Sequence, residues 1–490
     1  MQPDSKIGQN CVYMDTLTYK AALFDFDGTL VDTEPQYSIF WGEQGRRYHP
    51  EIPHFDKIIK GQTLGQIFDG HFAGMTDVQH RIVEELNEFE RTMKFDYISG
   101  AREYVTRLHQ QGMKTAIVTL PLHTNYGGLL QAYALKTALE SMGHEVTVLD
   151  LKDKMPSPKG LKAPFIYANR ALKKLLKGSS GPEVFREKRY KKELPILSAE
   201  TSVFVDSYIK PRLIDSYEDV KEGEYEAFVV GSDQVWRPRY FNPVENAFLA
   251  FTKGWDVKRV AYAASFGTDQ LEYEPEHLNM CSKLLAEFDG VSVREDSAVG
   301  LCEEWLDRED AVHALDPVML LDPQAYVTLA SSAETHPADE KIVTYILDAS
   351  PEKTHVVEFM KKITGHDVYD ASVYPYVNDR PVHERVVPGL ENWLAAFADA
   401  EFVVTDSFHG CVLSLLLHKR FIAVGNSRRG MARLSSLLNM FGLDMRLVHG
   451  IDPEDDGVYF LSDIDWEEVD RVIARKREES FDFLRKALER

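Results

Sequence analysis

The stretch 110-QQGMKTAIVTLPLHTNYGGLLQAYALK-136 contains a strand, a loop and a helix. Its strand could belong to the sheet of either of two different folds. Residues 115–119 are apolar without polar alternation, which is typical of a strand buried on both faces of a sheet. A glycine-containing loop follows, and the helical stretch 129–142 leads through Gly143 to a second strand at 145–149. The stretch therefore predicts a complete βαβ unit, in which backbone amides at the start of the helix could approach an anion.

Apolar strand-like runs alternate with helical stretches along most of the chain. Besides 115–119, they lie at 21–26, 145–149, 227–230, 260–264, 290–293, 342–347, 401–405 and 421–424. Such alternation predicts an α/β protein with parallel sheets covered by helices on both faces. At 490 residues the chain is too long for one core, so we expect about two to four domains.

The composition excludes several functional classes. The formal net charge is −22, and nucleic-acid binders need a basic face, so we expect no nucleic-acid partner. The four cysteines show neither C-x-x-C nor metal-ligand spacing, which argues against a disulfide scaffold or a zinc module and fits a reducing compartment. The start of the chain lacks an apolar signal core, and no run of about 18 apolar residues occurs. These features predict a cytoplasmic protein.

One segment, residues 151–198, is basic within this acidic chain. Two interpretations are open. The segment is either a solvated pair of helices with its loop, or a surface that attracts an anionic partner such as a membrane or a phosphorylated substrate.

The N-terminal part carries the motif 19-YKAALFDFDGTLVDTEP-35, an apolar strand that ends in two carboxylates. Asp25 and Asp27 are two residues apart, so they point the same way and could share a magnesium ion. The motif resembles the haloacid dehalogenase superfamily, in its β-phosphoglucomutase-like branch. The resemblance implies that Asp25 is the nucleophile and Asp27 the acid/base, that Thr119 is the second-motif residue, and that residues 36–97 form a helical cap.

The rest of that superfamily's site is not found after Thr119. No lysine and no second acidic pair follow at plausible spacing, and without them the charges of the metal and the phosphoryl group would be poorly balanced. We therefore interpret residues 1–112 as a truncated, inactive segment whose motif is vestigial. Magnesium is expected only if this segment is active, and a magnesium-dependent sugar-phosphate phosphatase or mutase is the alternative function.

Polar clusters follow successive strands downstream of residue 113. In chain order they are N-Y-G-G (125–128), G-S-D-Q-V-W (231–236), V-S-V-R-E (291–295), L-D-P (315–317) and T-D-S-F-H-G (405–410). Open α/β sheets bind their ligands at these carboxyl ends of strands. Together the motifs resemble the polysaccharide pyruvyl transferase family across about 113–450.

That resemblance implies two Rossmann-like domains in a glycosyltransferase-B-like arrangement, at 113–290 and at 291–490 with a C-terminal helix. It also implies transfer of the enolpyruvyl group of phosphoenolpyruvate to a sugar of a polysaccharide or cell-surface glycan precursor. The expected partners are phosphoenolpyruvate, a glycan acceptor and, as a peripheral contact, a membrane-linked glycan precursor. No further cofactor and no metal are required.

Ketal formation from phosphoenolpyruvate needs groups that bind two anions, an acid for the methylene carbon and a base for the sugar hydroxyl. Arginine matches phosphate and carboxylate through its planar fork, so Arg294 and Arg433 are candidates, with Arg428 and Arg429 behind them.

His409 is the candidate acid/base because imidazole titrates near neutral pH, and Asp406 is expected to orient it. His409, Asp406 and Arg294 form the predicted catalytic set. The further residues predicted to bind substrate are Asn125, Gly127, Gly128, Ser232, Asp233, Gln234 and Arg433.

Each of these candidates has a purely structural alternative. His409 could cap its own helix, and Arg294 could form an ion pair between domains. Residues 232–234 could cap a helix, and Trp236 could be a core residue instead of a platform for a sugar. Ser407 stands where some members of the family carry an arginine, which removes one anion-binding group.

The strand at 115–119 could thus belong to the dehalogenase-like segment or to the transferase-like part. The dehalogenase-like segment supplies no further strands downstream, whereas the transferase-like part supplies a full set. Pairing in the fuller sheet buries more apolar surface and satisfies more backbone groups, so we assign the strand to the transferase-like part. A catalytically inert fusion is a further alternative.

Overall fold

The computed structural model describes residues 29–102, 112–152, 155, 158, 160, 163–178, 183–333, 335–377, 380–426, 430–452 and 457–489. The chain divides into two compact units, Met1–Gln111 and Gly112–Arg490. The strand expected at 21–26 and the residues Asp25, Asp27, Arg428 and Arg429 lie outside the described residues.

The first unit is helical. Its helices are α1 (Glu34–Tyr48), α2 (Phe55–Ile58), α3 (Leu64–His71) and α4 (Thr76–Thr92). Aromatic and isoleucine side chains form its core, namely Phe40, Trp41, Phe55, Ile59, Ile67, Phe72 and Ile82. Two short antiparallel strands, β1 (Val31–Asp32) and β2 (Asp96–Tyr97), pair the segments that flank the helices. The predicted helical cap is therefore confirmed.

The second unit contains a seven-stranded parallel sheet with the order β5-β4-β3-β6-β7-β8-β9. Its strands are β3 (Lys114–Val118), β4 (Glu145–Leu151), β5 (Arg212–Ile214), β6 (Ala227–Gly231), β7 (Lys258–Ala264), β8 (Gly290–Val293) and β9 (Val312–His313). Because β8 and β9 belong to this sheet, the domain boundary predicted at residue 290 is placed too early.

Strand β3 lies inside this sheet and pairs along both edges. Val118 is opposite Leu149 of β4 on one side and Val230 of β6 on the other. Ala116, Ile117 and Val118 are fully buried, as a strand covered on both faces requires. The assignment of this strand to the transferase-like part is therefore confirmed.

A second parallel sheet has the order β11-β10-β12-β13-β14. Its strands are β10 (Ile342–Tyr345), β11 (Val368–Asp370), β12 (Phe402–Thr405), β13 (Arg420–Val424) and β14 (Leu447–Val448). Two parallel sheets with helical connections agree with the parallel sheets that the alternation of strands and helices predicted and with the two Rossmann-like domains that the resemblance implied.

Helices connect and cover the strands of both sheets. They are α5 (Tyr126–Ser141), α6 (Ala163–Lys177), α7 (Arg186–Leu197), α8 (Ala199–Phe204), α9 (Pro275–Leu285), α10 (Asp296–Leu306), α11 (Pro323–Ala330), α12 (Pro351–Thr364), α13 (Leu390–Asp399), α14 (Phe408–Leu416), α15 (Ala432–Met440), α16 (Val458–Leu461) and α17 (Trp466–Ala487). Helix α5 starts three residues before the predicted helix at 129–142, so Gly127 and Gly128 form its first turn.

The last helix, α17, returns to the first sheet. A Cβ atom added at Gly290 of β8 would lie 2.7 Å from the Cβ atom of Ala487. The ring centroids of Tyr262 on β7 and Phe483 on α17 are 6.3 Å apart. The Ser480 hydroxyl accepts a hydrogen bond from the Leu315 amide at 3.2 Å. The end of the chain therefore covers part of the sheet formed by its first half.

A shortened chain that begins at Gly112 should fold, because both neighbours of β3 lie within residues 112–490. We expect a single cooperative thermal transition by circular dichroism. A chain that begins at Leu120 is the matched control, because it lacks only β3 and leaves the facing edges of β4 and β6 unpaired. We expect this control to lose the transition. Identical melting of both chains would show that β3 is not a central strand.

Candidate functional site

Two buried carboxylates hold Arg294 at the carboxyl end of the first sheet. Its Nη1 atom donates to Asp316 Oδ2 at 2.9 Å, and its Nη2 atom donates to Asp233 Oδ1 at 3.1 Å. The three side chains are almost completely buried. The guanidinium carbon also lies 4.5 Å from the centre of the Phe408 ring, within the range of a cation–π contact. Arg294 therefore joins the turn after β6 to the L-D-P segment and to α14.

The two carboxylates remain charged because of their neighbours. Burial alone raises the pKa of Asp316, but His409 and Arg294 outweigh burial and hold this pKa well below its usual range. Burial likewise raises the pKa of Asp233, while Arg294, His409 and Arg433 lower it, with a net decrease. The negative charges of the two buried carboxylates are therefore offset by positively charged side chains next to them.

His409 lies on α14 beside Asp316, with 3.6 Å between its Nε2 atom and Asp316 Oδ2. Ser407 caps this helix, since its hydroxyl accepts from the Gly410 amide, so the alternative that His409 is the cap is wrong. The ring also packs against Gly127, where an added Cβ atom would lie 2.1 Å from His409 Nδ1. A glycine in the first turn of α5 thus makes room for the imidazole.

Arg433 and Glu295 complete the cluster. Arg433 on α15 is buried; burial and the nearby Arg294 lower its pKa to about 10. Glu295 accepts a hydrogen bond from the Ser265 hydroxyl, and burial raises its pKa. The Asp296 amide donates to the Ser436 hydroxyl at 2.9 Å and so ties α10 to α15. The predicted residues Arg294, Arg433 and His409 are thus brought together.

Some buried polar atoms of this cluster have no hydrogen-bond partner among the residues that the structure describes, including His409 Nε2, Arg294 Nε and Glu295 Oε2. Buried polar groups are normally hydrogen-bonded, so unsatisfied atoms on several side chains of one cluster, two of which share Asp316 as a neighbour, are typical of a site that receives a polar ligand.

The predicted ligand-binding turn after β6 is held by internal hydrogen bonds. Gln131 of α5 accepts from the Ser232 amide at 2.8 Å and donates to the Thr119 hydroxyl at 2.9 Å. The Ser232 hydroxyl donates to the Ala263 carbonyl oxygen at 2.8 Å, and Gln234 accepts from Arg237 at 3.1 Å. No helix begins at this turn, so the helix-cap alternative for residues 232–234 is wrong.

The other candidates near these turns differ in exposure. Asn125 is exposed at the start of α5 and makes no capping hydrogen bond with its side chain. An added Cβ atom at Gly128 would lie 3.1 Å from Asn125 Nδ2.

Trp236 is fully buried and stacks on Phe248 with ring centroids 5.0 Å apart. Of its two interpretations, the core residue is therefore correct.

Asp406 does not orient His409. Its Oδ1 atom accepts from the Leu347 amide at 2.6 Å, and its Oδ2 atom accepts from Lys353 Nζ at 2.6 Å and Asn426 Nδ2 at 2.8 Å. Strands β10 and β12 are neighbours, so the amides that follow β10 lie beside this carboxylate. The predicted orienting role is therefore wrong, and the carboxylate beside His409 is that of Asp316.

A cavity of about 340 Å³ lies next to Asp406, at the carboxyl end of the second sheet. Its polar lining consists of Asp348, Ser350, Glu352, Lys353, Asn426 and His449. The T-D-S-F-H-G turn thus contributes Asp406 to the side-chain network behind this cavity and His409, three residues later, to the charged cluster. Carboxylates, an amide and a hydroxyl are groups that exchange hydrogen bonds with sugar hydroxyls.

The vestigial dehalogenase motif is only partly described. Thr119 accepts from Gln131 within the first sheet, whereas Asp25 and Asp27 lie outside the described residues. No group of three histidine, cysteine, aspartate or glutamate side chains that could hold a metal ion occurs among the described residues. In the same part of the chain, no helix is both long and apolar enough to cross a membrane.

A protein-family model described as polysaccharide pyruvyl transferase matches residues 125–428, more than half of the chain. The chain belongs to the polysaccharide pyruvyl transferase family. Asp233, Arg294, Asp316 and His409 fall within this match, and Arg433 lies five residues beyond its end. The family supports a transferase that modifies polysaccharides and implies a donor substrate and a glycan acceptor.

A second model, described as haloacid dehalogenase-like hydrolase, matches residues 22–163. That match confirms the predicted N-terminal resemblance. It also runs through β3, α5 and β4, which the structure places in the second compact unit.

No curated protein matches the chain. Similar solved structures include a glycosyltransferase from Rickettsia africae ESF-5, with 13% identity over 76% of this chain and 96% of that one and a TM-score of 0.36. A sucrose-phosphate synthase from Thermosynechococcus elongatus has 14% identity over 77% and 97% and a TM-score of 0.37. A UDP-GlcNAc 2-epimerase from Methanocaldococcus jannaschii has 13% identity over 74% and 92% and a TM-score of 0.38. At such scores these likenesses carry no argument about function.

Proposed function

We propose that the protein transfers the enolpyruvyl group of phosphoenolpyruvate to a sugar of a polysaccharide or cell-surface glycan precursor. The observation that supports this proposal best is the presence of unsatisfied buried polar atoms on His409, Arg294 and Glu295 in a cluster that also contains Arg433. A donor with a phosphate and a carboxylate matches a site of this charge.

His409 is proposed as the acid that protonates the methylene carbon of the donor. Protonation leaves positive charge at the neighbouring carbon, which a sugar hydroxyl attacks, and the proton of that hydroxyl passes to the imidazole that gave up its own. A second hydroxyl then bonds to the same carbon as the carbon–oxygen bond to phosphate breaks, and its proton leaves with the phosphate. This step closes the ketal. Asp316 Oδ2 lies 3.6 Å from Nε2 of this imidazole and so places a carboxylate beside the proposed proton donor.

The two arginines have different proposed roles. Asp233 and Asp316 already accept from both terminal nitrogens of Arg294, so Arg294 mainly positions these carboxylates. Arg433 lies in the same cluster and is proposed to attract the phosphate or the carboxylate of the donor.

The acceptor sugar is proposed to bind in the 340 Å³ cavity on the other side of the T-D-S-F-H-G turn. Asp348 and Glu352 would accept from sugar hydroxyls, and Asn426 and Ser350 would add polar contacts.

The buried Cys281, Cys302 and Cys411 are free thiols, which fits a reducing compartment, so we propose that the reaction takes place in the cytoplasm.

The experiment that tests the proposal is incubation of the full chain with phosphoenolpyruvate and candidate glycans. We expect phosphate release that depends on both substrates, together with a glycan product whose mass increases by one pyruvyl ketal. Release that does not depend on any glycan would contradict the transfer. Magnesium-dependent release from a sugar phosphate that Asp25→Asn abolishes would instead support the dehalogenase alternative.

A further inference from the structure

Helix α6 exposes a row of large apolar side chains. Phe165, Leu172, Leu175 and Leu176 are 78%, 57%, 82% and 76% exposed. With about 3.6 residues per turn, these positions lie on one face of the helix. Soluble proteins rarely leave such a contiguous apolar row in water, so a partner is expected to cover it.

The opposite face attaches α6 to the rest of the unit. The ring of Tyr167 lies 5.3 Å from that of Phe185, and Arg170 donates to Glu187 at 2.8 Å in a largely buried ion pair. Because Tyr167 and Arg170 fix the inward face, the apolar row points away from the unit.

One lysine borders this row. Lys173 is exposed and lies three positions before Leu176, next to it on the helix surface, and α6 contains no acidic residue although the chain carries a formal net charge of −22. Pairing of two copies through α6 would bring the lysines of both copies together, which is unfavourable. An anionic lipid surface instead offers negative headgroups to the lysine and acyl chains to the leucines.

We propose that α6 docks the protein on the surface of an anionic lipid bilayer. Leu172, Leu175 and Leu176 would enter the boundary between headgroups and acyl chains, while Lys173 contacts the headgroups. The consequence is that a glycan precursor carried by a lipid would be reached at the membrane surface. This docking does not depend on the chemistry at His409, so either proposal can fail while the other holds.

The test is sedimentation of the full chain with vesicles of phosphatidylcholine that contain about 30% phosphatidylglycerol. We expect binding that weakens as salt rises, since screening reduces the attraction between lysines and headgroups. Replacing Lys173 by glutamine should weaken binding about five-fold. Replacing Leu175 and Leu176 by glutamine should weaken it about ten-fold or more.

The matched controls leave α6 intact. Lys361→Gln with Lys362→Gln removes two neighbouring exposed lysines from α12, and Leu271→Gln removes an exposed leucine elsewhere. Both controls should bind as the natural chain does. Equal binding to pure phosphatidylcholine vesicles would overturn the proposal. So would an absence of vesicle binding together with a dimer, seen by light scattering, that the leucine replacements abolish.

Discussion

Replacing His409 by alanine is expected to lower kcat for phosphate release about 10²- to 10⁴-fold, the usual contribution of a positioned proton donor. The imidazole beside Asp316 is the proposed source of the proton that activates the donor, and alanine cannot supply it. The change should appear in kcat more than in KM, because proton transfer takes place in the transition state. Initial rates at saturating phosphoenolpyruvate and glycan provide the measurement.

A surface histidine provides the control for this experiment. His418 is exposed and pairs with Asp470 at 2.9 Å, so His418→Ala should release phosphate at the rate of the natural chain. Thermal melting of both variants would separate loss of chemistry from loss of folding. Equal phosphate release by His409→Ala and the natural chain would remove His409 from the mechanism.

Replacing Arg294 by methionine is expected to lower the free energy of unfolding by about 3–5 kcal/mol. Methionine fills much of the same space but leaves Asp233 and Asp316 buried without their cation. Urea denaturation followed by circular dichroism measures the loss.

The loss should depend on pH. Arg294 lowers the pKa of both carboxylates, so its contribution is fully present above their ordinary value of 3.8 and disappears as pH falls through the lower folded values. The difference between Arg294→Met and the natural chain should therefore be largest near neutral pH and shrink in acid.

The control for Arg294 is the same substitution at a surface ion pair. Arg212 donates to Glu224 at 2.6 Å with both side chains about one-third exposed, so Arg212→Met should cost less than about 1 kcal/mol. Adding Asp316→Asn to Arg294→Met should recover part of the lost stability, because one buried charge is removed. Similar losses in the free energy of unfolding for Arg212→Met and Arg294→Met would mean that the buried ion pairs of Arg294 stabilise the protein no more than an exposed ion pair does.

The longer strands could be predicted from sequence because they are continuous apolar runs, whereas the strands of two or three residues, namely β1, β2, β5, β9, β11 and β14, were not predicted. Strand β3 could even be assigned to its sheet, since that choice required only a count of available neighbours on each side. The boundary at 290 was wrong because β8 and β9 are short, and the strands alone do not show where a sheet ends.

The site was predictable in part. The motifs identified Arg294, Arg433 and His409, and the structure brings them together. The partner of His409 was not predicted, because the choice between Asp316 and Asp406 depends on how segments far apart in the chain meet. Asp316 lies in the L-D-P motif, which was noted without a role. Lys353, which pairs with Asp406, has no sequence signal beyond its place in the first turn of α12.

The position of α17 has a consequence for synthesis on the ribosome. The first sheet is complete at His313, but the helix that covers Tyr262 and Gly290 ends at Ala487. At ordinary elongation rates this gap lasts roughly ten to thirty seconds. During that interval the part of the nascent sheet around Tyr262 and Gly290 lacks its covering helix, and cellular chaperones would be expected to bind there until translation ends.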